Sequence, residues 1–213
     1  KKIIEIGPGP GGLTRSILLE GAESIVAVEK DLRMINSLKE LKTICDKKLT
    51  LINDDVLNLT LNSLGPFPKS ILGNLPYNIS SKLIVSWLKE IHYNKNIKID
   101  NITITIQKEL ADRLISSKDG KEYGRISVYT QLLSNVTKLL ELSPSNFHPR
   151  PKVFSSVINI KPLKKPRFKV NLETFEKIVK QAFGNRRKML RQSLKNLGGN
   201  RLLEMSNINS SLR

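Results

Sequence analysis

The stretch EIGPGPGG, residues 5–12, joins a short apolar run to a segment with helical periodicity. The run KIIEI at 2–6 is typical of a buried strand, and GLTRSILLEG at 12–21 is typical of an amphipathic helix. Because glycine has no Cβ atom, the turn between them can bend sharply and bring its backbone close to a ligand. The stretch therefore predicts a ligand-binding turn between the first strand and the first helix of an α/β fold.

Strand-like and helical segments continue to alternate along the chain, which predicts a doubly wound sheet with mainly parallel strands. The further predicted strands are SIVAVE at 24–29, LTLIN at 49–53, SILG at 70–73 and NITITI at 101–106. The further predicted helices are DLRMINSLKEL at 31–41, capped by Asp31, and SSKLIVSWLKEI at 80–91, with Leu83, Ile84, Trp87, Leu88 and Ile91 on one face. VTKLLEL at 136–142 and FSSVINI at 154–160 are expected to close the sheet as an antiparallel pair.

The last part of the chain has a different composition and predicts a second, smaller unit. The segment KPLKKPRFK at 161–169 is rich in proline and lysine and is typical of a linker. Helical patterns follow in LETFEKIVKQAF at 172–183 and in NRRKMLRQSLKNL at 185–197. We therefore expect a first domain over residues 1–163 and a basic helical domain over residues 164–213.

The charge of the chain is unevenly distributed. The 213 residues include 36 Lys and Arg against 19 Asp and Glu, a net charge of +17. Residues 148–213 hold 16 of these basic residues and only 3 of the acidic ones. A solvated basic surface would explain part of this excess, but such asymmetry also attracts phosphates. With no strongly amphipathic membrane-surface helix in the sequence, nucleic acid is the favoured partner.

Other features of the sequence exclude several classes of protein. No apolar run is long enough to span a bilayer, and the N-terminus does not resemble a signal peptide. The single cysteine, Cys45, cannot form an internal disulfide and fits a reducing compartment. His92 and His148 lie far apart without a cluster of cysteines or acids, so no metal site is expected. We expect a cytoplasmic protein that acts as a monomer.

The glycines of the first turn fit two ligand-binding patterns. Gly7, Gly9 and Gly12 fit G-x-G-x-x-G, the pattern of dinucleotide-binding turns. Gly7, Gly9 and Gly11 fit G-x-G-x-G, which suits S-adenosylmethionine. A purely structural turn remains the simplest alternative to both.

Acidic residues at the ends of the next two strands strengthen the case for a ligand. Glu29 ends the second predicted strand, where a carboxylate can bind both hydroxyls of a ribose. Asp54 and Asp55 follow the third strand, where a carboxylate can accept the exocyclic amine of an adenine. These acids could also be turn or helix caps. Together they predict a bound adenosine, without showing whether it carries nicotinamide or a methylsulfonium group.

The stretch GNLPYNISS at 73–81 distinguishes the two ligands. Asn74 and the Leu75 backbone offer two carbonyl oxygens, and Pro76, which has no N–H, holds the turn. Two acceptors directed at one amine suit an adenine, whose exocyclic nitrogen is a poor nucleophile while its lone pair is delocalised into the ring. Tyr77 offers a flat face on which an extruded base can stack. An enzyme that uses nicotinamide has no need of this arrangement, so methyl transfer to adenine is the predicted chemistry.

A series of segments in one order resembles a known family. The segments are EIGPGPGGLT, the acidic Glu29, NDDV, NLPYNIS, QKELADRL, YGRISV, FHPRPKVFSSV and NRRKMLRQSL. Over nearly the whole chain they resemble the ribosomal RNA adenine dimethyltransferases of the KsgA type. NLPY alone is shared with the erythromycin-resistance methyltransferases, and the last two segments favour the KsgA type.

The resemblance implies a Rossmann-like, S-adenosylmethionine-dependent methyltransferase that dimethylates two adjacent adenosines near the 3′ end of small-subunit rRNA. It implies that Gly7, Glu29, Asp55 and Asn74 bind the cofactor, and that an immature 30S particle is the partner. The complete set of candidate cofactor-binding residues is Glu5, Gly7, Pro8, Gly9, Gly11, Glu29, Lys30, Asp54, Asp55 and Asn74.

The resemblance also implies residues that hold the target base and the RNA. The segment from Asn74 to Tyr77 would hold the adenine, and Phe147 would stack on its other face, although Phe147 could equally be a packing anchor. Candidate RNA contacts are Arg125, in the predicted loop YGRISV at 123–128, and the basic cluster Arg186, Arg187, Lys188 and Arg191.

The sequence departs from the family pattern in three ways. A Gly-Gln-Asn-Phe-Leu type segment that precedes the first strand in the family has no counterpart here, and the family normally continues beyond SSLR. These 213 residues are therefore expected to bind the cofactor more weakly than a longer relative does. Phe154 stands where the family usually has an acidic residue, and nothing in the sequence explains this. A nucleic-acid-binding factor that keeps the fold without the chemistry is the alternative function.

Overall fold

The structure is a computed structural model that describes residues 1–45, 47–67, 69–184, 188–206 and 208, apart from the side chains of Asn200 and Leu202. Its strands are β1 (Lys2–Ile6), β2 (Ser24–Glu29), β3 (Leu49–Asn53), β4 (Lys69–Asn74), β5 (Ile99–Gln107), β6 (Ser134–Leu142) and β7 (Ser155–Pro162). Its helices are α1 (Gly12–Leu19), α2 (Leu32–Ile44), α3 (Tyr77–Tyr93), α4 (Lys108–Ile115), α5 (Arg125–Leu133), α6 (Leu172–Ala182), α7 (Leu190–Ser193) and α8 (Gly199–Met205).

The described strands form one sheet in the order β3-β2-β1-β4-β5-β7-β6. The strands β1 to β5 are parallel, whereas β7 is antiparallel to both β5 and β6. The strand order reverses direction between β1 and β4, and ligands of doubly wound sheets bind outside the carboxyl ends of the strands at such a switch point. The turn after β1 and the segment after β4 therefore face the same crevice. The predicted α/β fold with its antiparallel closing pair is confirmed.

The close approach of β1 and β4 at the switch point depends on Gly73. This residue is in register with Ile6, and a Cβ atom built on Gly73 would lie 2.5 Å from the carbonyl oxygen of Ile6. That distance is far shorter than any van der Waals contact, and the obstructing atom is backbone. A side chain at position 73 would consequently force the two strands apart directly below the crevice.

The hydrophobic core covers the sheet and extends to the C-terminal helices. The predicted apolar face of α3 is confirmed, with Leu83, Ile84, Trp87 and Leu88 buried and Ile91 packed at the edge of the core. Leu172 and Phe175 of α6 belong to the same cluster as the sheet residues. Lys89 of α3 also forms an ion pair of 2.6 Å with Glu176 of α6. The first helix after the predicted linker thus packs on the same core as the sheet, and a boundary at residues 163–164 stays a prediction.

Two local predictions need correction. The segment YGRISV at 123–128 is not a loop throughout, because Arg125 begins α5. The helix predicted over 185–197 is not continuous in its described part, which contains α7 and a 3-10 helix at Lys195–Leu197. The amide of Leu197 donates to the carbonyl of Leu194 over 2.8 Å, and Gly198 then takes a left-handed φ of +84°. These tighter bonds and this glycine end the helical pattern.

Candidate active site

The glycine-rich turn has the backbone conformation that its composition predicts. Gly7, Gly9 and Gly11 have φ values of +66°, +54° and +88°, which residues with a side chain rarely adopt. A Cβ atom on Gly11 would also lie 2.4 Å from the Leu38 side chain. Gly12, in contrast, is the first residue of α1. The positions that require glycine are thus those of G-x-G-x-G, the pattern that suits S-adenosylmethionine.

Glu29 connects the glycine-rich turn to the turn after β2. Its Oε2 atom accepts a hydrogen bond of 3.1 Å from the Gly9 amide, and its Oε1 atom accepts one of 2.9 Å from the Asp31 amide. Each carboxylate oxygen can accept more than one hydrogen bond, so both remain able to bind the hydroxyls of a ribose. Asp31 itself caps α2, as predicted, by accepting from the Arg33 amide over 2.9 Å.

The acids after β3 act as local caps, and one of them also faces a lysine. Asp55 accepts from the Leu57 amide through Oδ1 and from the Lys30 ammonium through Oδ2, both over 2.9 Å. The hydrogen bond from Lys30 is the main cause that holds the pKa of Asp55 below its usual range. Asp54 accepts from the Asp55 amide over 2.6 Å and from the Asn58 side chain over 3.1 Å. Asp55 is therefore an ionised acceptor at the strand end where an adenine amine was predicted.

The segment after β4 presents its polar atoms to the crevice. Leu75 is buried, and its amide donates to the Thr105 carbonyl over 3.1 Å, which extends the pairing with β5. Asn74 is exposed, and its side chain makes no hydrogen bond within the described residues. The carbonyl of Pro76 accepts from the Ser80 hydroxyl over 2.8 Å, which fixes the first turn of α3. The predicted acceptor at Asn74 is thus available on a rigid support.

The glycine-rich turn and the segment after β4 lie side by side. A Cβ atom on Gly7 would be 3.8 Å from the Asn74 carbonyl oxygen. That distance is an ordinary van der Waals contact, so the two predicted halves of the site adjoin each other at the switch point, and it is the φ of +66° that favours glycine at position 7.

The two aromatic residues predicted to hold the base occupy neighbouring parts of the sheet edge. Tyr77 is the first residue of α3, and its hydroxyl lies 2.6 Å from the Ser155 hydroxyl on β7. Phe147 is half-buried in the loop between β6 and β7, whose ends are closed by the pairing of Leu142 with Ser155. The loop of Phe147 therefore begins beside the residue that contacts Tyr77. Stacking of Phe147 on a base stays a prediction.

Two buried polar side chains flank the glycine-rich turn without partners. The two carboxylate oxygens of Glu5 on β1 make no hydrogen bond to a described residue. The hydroxyl of Thr14 on α1 makes none either. Burial raises the pKa of Glu5 to about 7, opposed in part by Thr14. Unpaired buried carboxylates are costly, so this pair fits a cofactor that brings a cationic group, as the amino group of S-adenosylmethionine does.

Replacing Glu5 with glutamine is expected to change how stability depends on pH. The pKa of Glu5 is about 7 in the folded protein against an ordinary value of 4.5, so the folded state holds its proton more tightly between these values. The stability of the parent protein therefore falls as pH rises through this window, by about 3 kcal/mol at the upper end. Urea unfolding at about pH 5 and about pH 8 should show this loss in the parent and not in Glu5→Gln. The control is Glu20→Gln, an exposed acid whose replacement should keep the parental pH dependence. Equal pH dependence in the parent and in Glu5→Gln would contradict the raised pKa of Glu5.

A cleft of about 980 Å³ opens beside Tyr77 between the sheet domain and α6. Its walls carry several cations, of which Arg113 pairs with Glu109 over 2.5 Å. Lys82, Arg125 and Lys180 also line the cleft, and none of the three forms an ion pair with a described residue. The cleft thus combines the ring of Tyr77 with a lining in which five cationic side chains face three carboxylates.

The predicted RNA contacts divide into described and undescribed residues. Arg125 is exposed and lines the cleft. Lys188, just before α7, and Arg191, within α7, are also exposed. Arg186 and Arg187 lie outside the described residues.

Among the residues with a described placement, no group of three or more metal-ligating side chains occurs, and no helix is long and apolar enough to cross a membrane.

The parallel sheet with an antiparallel β7, the left-handed glycines and the acids at successive strand ends define a Rossmann-like, S-adenosylmethionine-dependent methyltransferase. The model of the family described as ribosomal RNA adenine dimethylase matches residues 1–212. The chain belongs to the ribosomal RNA adenine dimethylase family, as the resemblance predicted.

Known proteins agree with this membership. The chain is 42% identical over 195 residues to the ribosomal RNA small subunit methyltransferase A of Wolbachia pipientis from Culex pipiens, covering 92% of this chain and 72% of that protein. It is 41% identical over 213 residues to the protein of the same name from Ehrlichia canis, covering 99% of this chain and 79% of the relative.

Solved structures agree as well. A dimethyladenosine transferase from Plasmodium falciparum superposes with a TM-score of 0.77 at 25% identity, covering 96% of this chain and 70% of that one. The 23S rRNA methyltransferase ErmE superposes with a TM-score of 0.72 at 25% identity, covering 100% and 84%.

The structure adds residues to the site that sequence reasoning missed. Ser155 lies in the segment FHPRPKVFSSV at 147–157, but a serine in a strand carries no signal of a contact with Tyr77. Lys82 and Lys180 lie on helices whose sequences look like ordinary solvated surfaces. Only the fold brings them to one cleft.

Proposed function

We propose that this chain dimethylates the exocyclic amines of two adjacent adenosines near the 3′ end of 16S rRNA, with S-adenosylmethionine as methyl donor, during small-subunit assembly in the cytoplasm. The observation that carries the proposal is the place of Asn74 at the switch point. Its backbone carbonyl oxygen lies 3.8 Å from where a Cβ atom on Gly7 would be, and its exposed side-chain amide makes no hydrogen bond to a described residue. The names of the relatives, a small-subunit rRNA methyltransferase and a dimethyladenosine transferase, support the same substrate.

The chain's own residues position the base and prepare its nitrogen. The side-chain oxygen of Asn74 and the Leu75 carbonyl accept the two amine hydrogens and localise the lone pair on nitrogen, while the Tyr77 ring supports the base. When bound, S-adenosylmethionine would supply an electrophilic methyl group, which the amine nitrogen would take as the bond from that carbon to sulfur breaks. The amine proton would leave to solvent, once for each methyl group. The gain is mainly positioning and electrostatics, so no metal or strong base is needed.

The alternative is an RNA-binding assembly or transcription factor that keeps the fold without the chemistry. Such a factor would be free to lose the groups that serve methyl transfer. Here Gly7, Gly9 and Gly11 keep left-handed conformations, Glu29 and Asp55 keep their acceptors, and the segment from Asn74 to Tyr77 is intact. These features favour the enzyme.

The proposal is tested by methyl transfer from labelled cofactor to immature small subunits with the full-length protein. We expect about two adenosines per particle to become dimethylated, and mature particles to accept none. Mass spectrometry of the RNA locates the modified bases. A protein that binds the particles tightly but transfers no methyl group would support the binding factor instead.

The basic C-terminal segment is proposed to bind rRNA phosphates without reading bases. Replacing Lys188 and Arg191 together with glutamine should weaken RNA binding equally on all sequences. The slope of log affinity against log salt should flatten by roughly 0.7–0.9 for each lost contact. Arg186 and Arg187 are expected to behave in the same way. Affinity is measured by filter binding at several salt concentrations.

The matched control for this experiment is Lys39→Gln, an exposed lysine on α2. The control should leave the salt slope unchanged. The double variant Lys188→Gln/Arg191→Gln should bind the cofactor with parental affinity. An unchanged slope in folded Lys188→Gln/Arg191→Gln would instead place RNA recognition in the cleft that Arg125 lines.

A further inference from the structure

The hydroxyl of Tyr77 is held by a residue on a distant part of the chain. Its oxygen lies 2.6 Å from the oxygen of Ser155, 78 residues away. Tyr77 begins α3 at one side of the crevice, and Ser155 begins β7. Of the two hydroxyls, Ser155 is fully buried while Tyr77 is only half-buried, so the serine is the fixed member of the pair.

The position of Ser155 is determined by the sheet on both sides. Its backbone is in register with Gln107 of β5 and with Leu142 of β6. Beyond Gln107, the Lys108 amide donates to the Phe154 carbonyl over 2.9 Å, so pairing continues past the strand end. Ser155 therefore has little freedom to follow a tyrosine that moves, and its hydrogen bond can orient the phenol ring.

Ser155 also closes the loop that carries Phe147. Because Leu142 and Ser155 are paired, the loop at 143–154 starts and ends at this point of the sheet. One buried serine thus contacts the hydroxyl of Tyr77, which is predicted to lie on one side of the target adenine. The same serine ends the loop that carries Phe147, which is predicted to lie on the other side.

We propose that Ser155 is a positioning residue for the target adenine. By holding the Tyr77 hydroxyl it sets the plane of the ring on which the base stacks, and so aligns the amine with the Asn74 acceptor. This inference rests on the proposed function. It adds a residue to the site that neither touches the base nor binds the cofactor.

The kinetic test compares Ser155→Ala with Ser155→Thr and with the control Ser156→Ala. Ser156 is the matched neighbour, because it is also fully buried and its hydroxyl has no partner among the described residues. Loss of one neutral hydrogen bond should lower kcat by ~3–10-fold in Ser155→Ala, with little change in KM for the RNA particle. Ser155→Thr keeps the hydroxyl and should recover part of the rate, while Ser156→Ala should keep the parental kcat.

A double-mutant cycle with Tyr77→Phe separates positioning from a general structural role. If Ser155 acts through the Tyr77 hydroxyl, Tyr77→Phe should lose as much rate as Ser155→Ala, and the double variant should lose no more than either. Additive losses, or a parental kcat in Ser155→Ala, would overturn the proposal. An equal loss in Ser156→Ala would also overturn it, because it would indicate general loosening of β7.

A readout without catalysis makes the result independent of the proposed function. Protein labelled with 3-fluorotyrosine gives a fluorine spectrum in which Tyr77→Phe identifies the Tyr77 resonance. That resonance should shift or broaden in Ser155→Ala and stay in place in Ser156→Ala. An unmoved resonance would refute the contact, whereas a moved resonance in a protein without methyltransferase activity would refute the proposed function alone.

Discussion

Replacing Asn74 with alanine is expected to lower the rate of methyl transfer by ~10²–10³-fold, the usual cost of one preorganised hydrogen-bond partner in a transition state. RNA binding should change far less, since the positive charge that attracts phosphates lies elsewhere. The effect is large because the rest of the site cannot replace this acceptor. Asn74 is exposed at the end of β4, and its side chain makes no hydrogen bond to the described residues, so it is free for a substrate.

The rigidity of the supporting backbone makes the experiment interpretable. The Leu75 amide bonds to β5 over 3.1 Å and the Pro76 carbonyl bonds to the Ser80 hydroxyl over 2.8 Å, so neither depends on the Asn74 side chain. Asn74→Ala should therefore unfold like the parent. Asn78→Ala provides the matched control, because Asn78 is an exposed asparagine of the next turn. The measurement is single-turnover methyl transfer to immature small subunits.

Near-parental turnover in Asn74→Ala would show that the two-acceptor account of the segment is wrong. A loss that appears equally in Asn78→Ala would instead indicate damage to the first turn of α3. A loss of RNA binding as large as the loss of rate would move Asn74 from chemistry to substrate capture.

Local patterns were sufficient for most of the fold and for half of the site. Strands β1, β2 and β3 occupy their predicted residues, because short apolar runs bounded by turn residues have few alternatives. The glycine-rich turn and the acids were predictable since each follows a strand, and parallel strands bring their carboxyl ends to one edge. The cap at Asp31 was predictable because an aspartate directly before a helical pattern is a common N-cap.

Contacts between distant segments were not predictable from these patterns. The pairing of Tyr77 with Ser155 depends on β7 being inserted between β5 and β6, and a serine in a strand does not signal this. The burial of Glu5 without a hydrogen-bond partner among the described residues depends on how distant segments pack around β1. The 185–197 pattern failed because helical periodicity does not register the tight turn at Leu194 to Gly198.

The state of Asp55 shows how the two kinds of information combine. Sequence position suggested either a cap or an adenine acceptor, and the structure shows a cap whose second oxygen is held by Lys30. Lys30 is largely exposed, so this ion pair contributes little stability and can open for a ligand. The cap is therefore confirmed, and the role of Asp55 as an adenine acceptor stays a prediction.

The second large effect is expected at Glu29, where alanine should lower affinity for S-adenosylhomocysteine by ~10²–10⁴-fold. Two hydrogen bonds from ribose hydroxyls to a carboxylate contribute about 1.5–3 kcal/mol each, and both are lost. The substitution also removes the acceptor of the Gly9 and Asp31 amides, which leaves the cofactor turn without its link to α2. Calorimetric titration of the full-length protein measures the affinity, and NAD should not bind.

Glutamine at position 29 makes the experiment more specific. Its amide oxygen can accept from only one of the two backbone amides, and its NH₂ group then faces the other donor. Glu29→Gln should therefore also bind cofactor weakly despite its equal size. The control is Glu23→Gln, an exposed acid just before β2 whose nearest ion pair is a 3.8 Å contact with Lys2. It should keep parental affinity. Binding within about threefold of the parent in folded Glu29→Ala would move ribose recognition away from β2, and tight NAD binding would reverse the cofactor assignment itself.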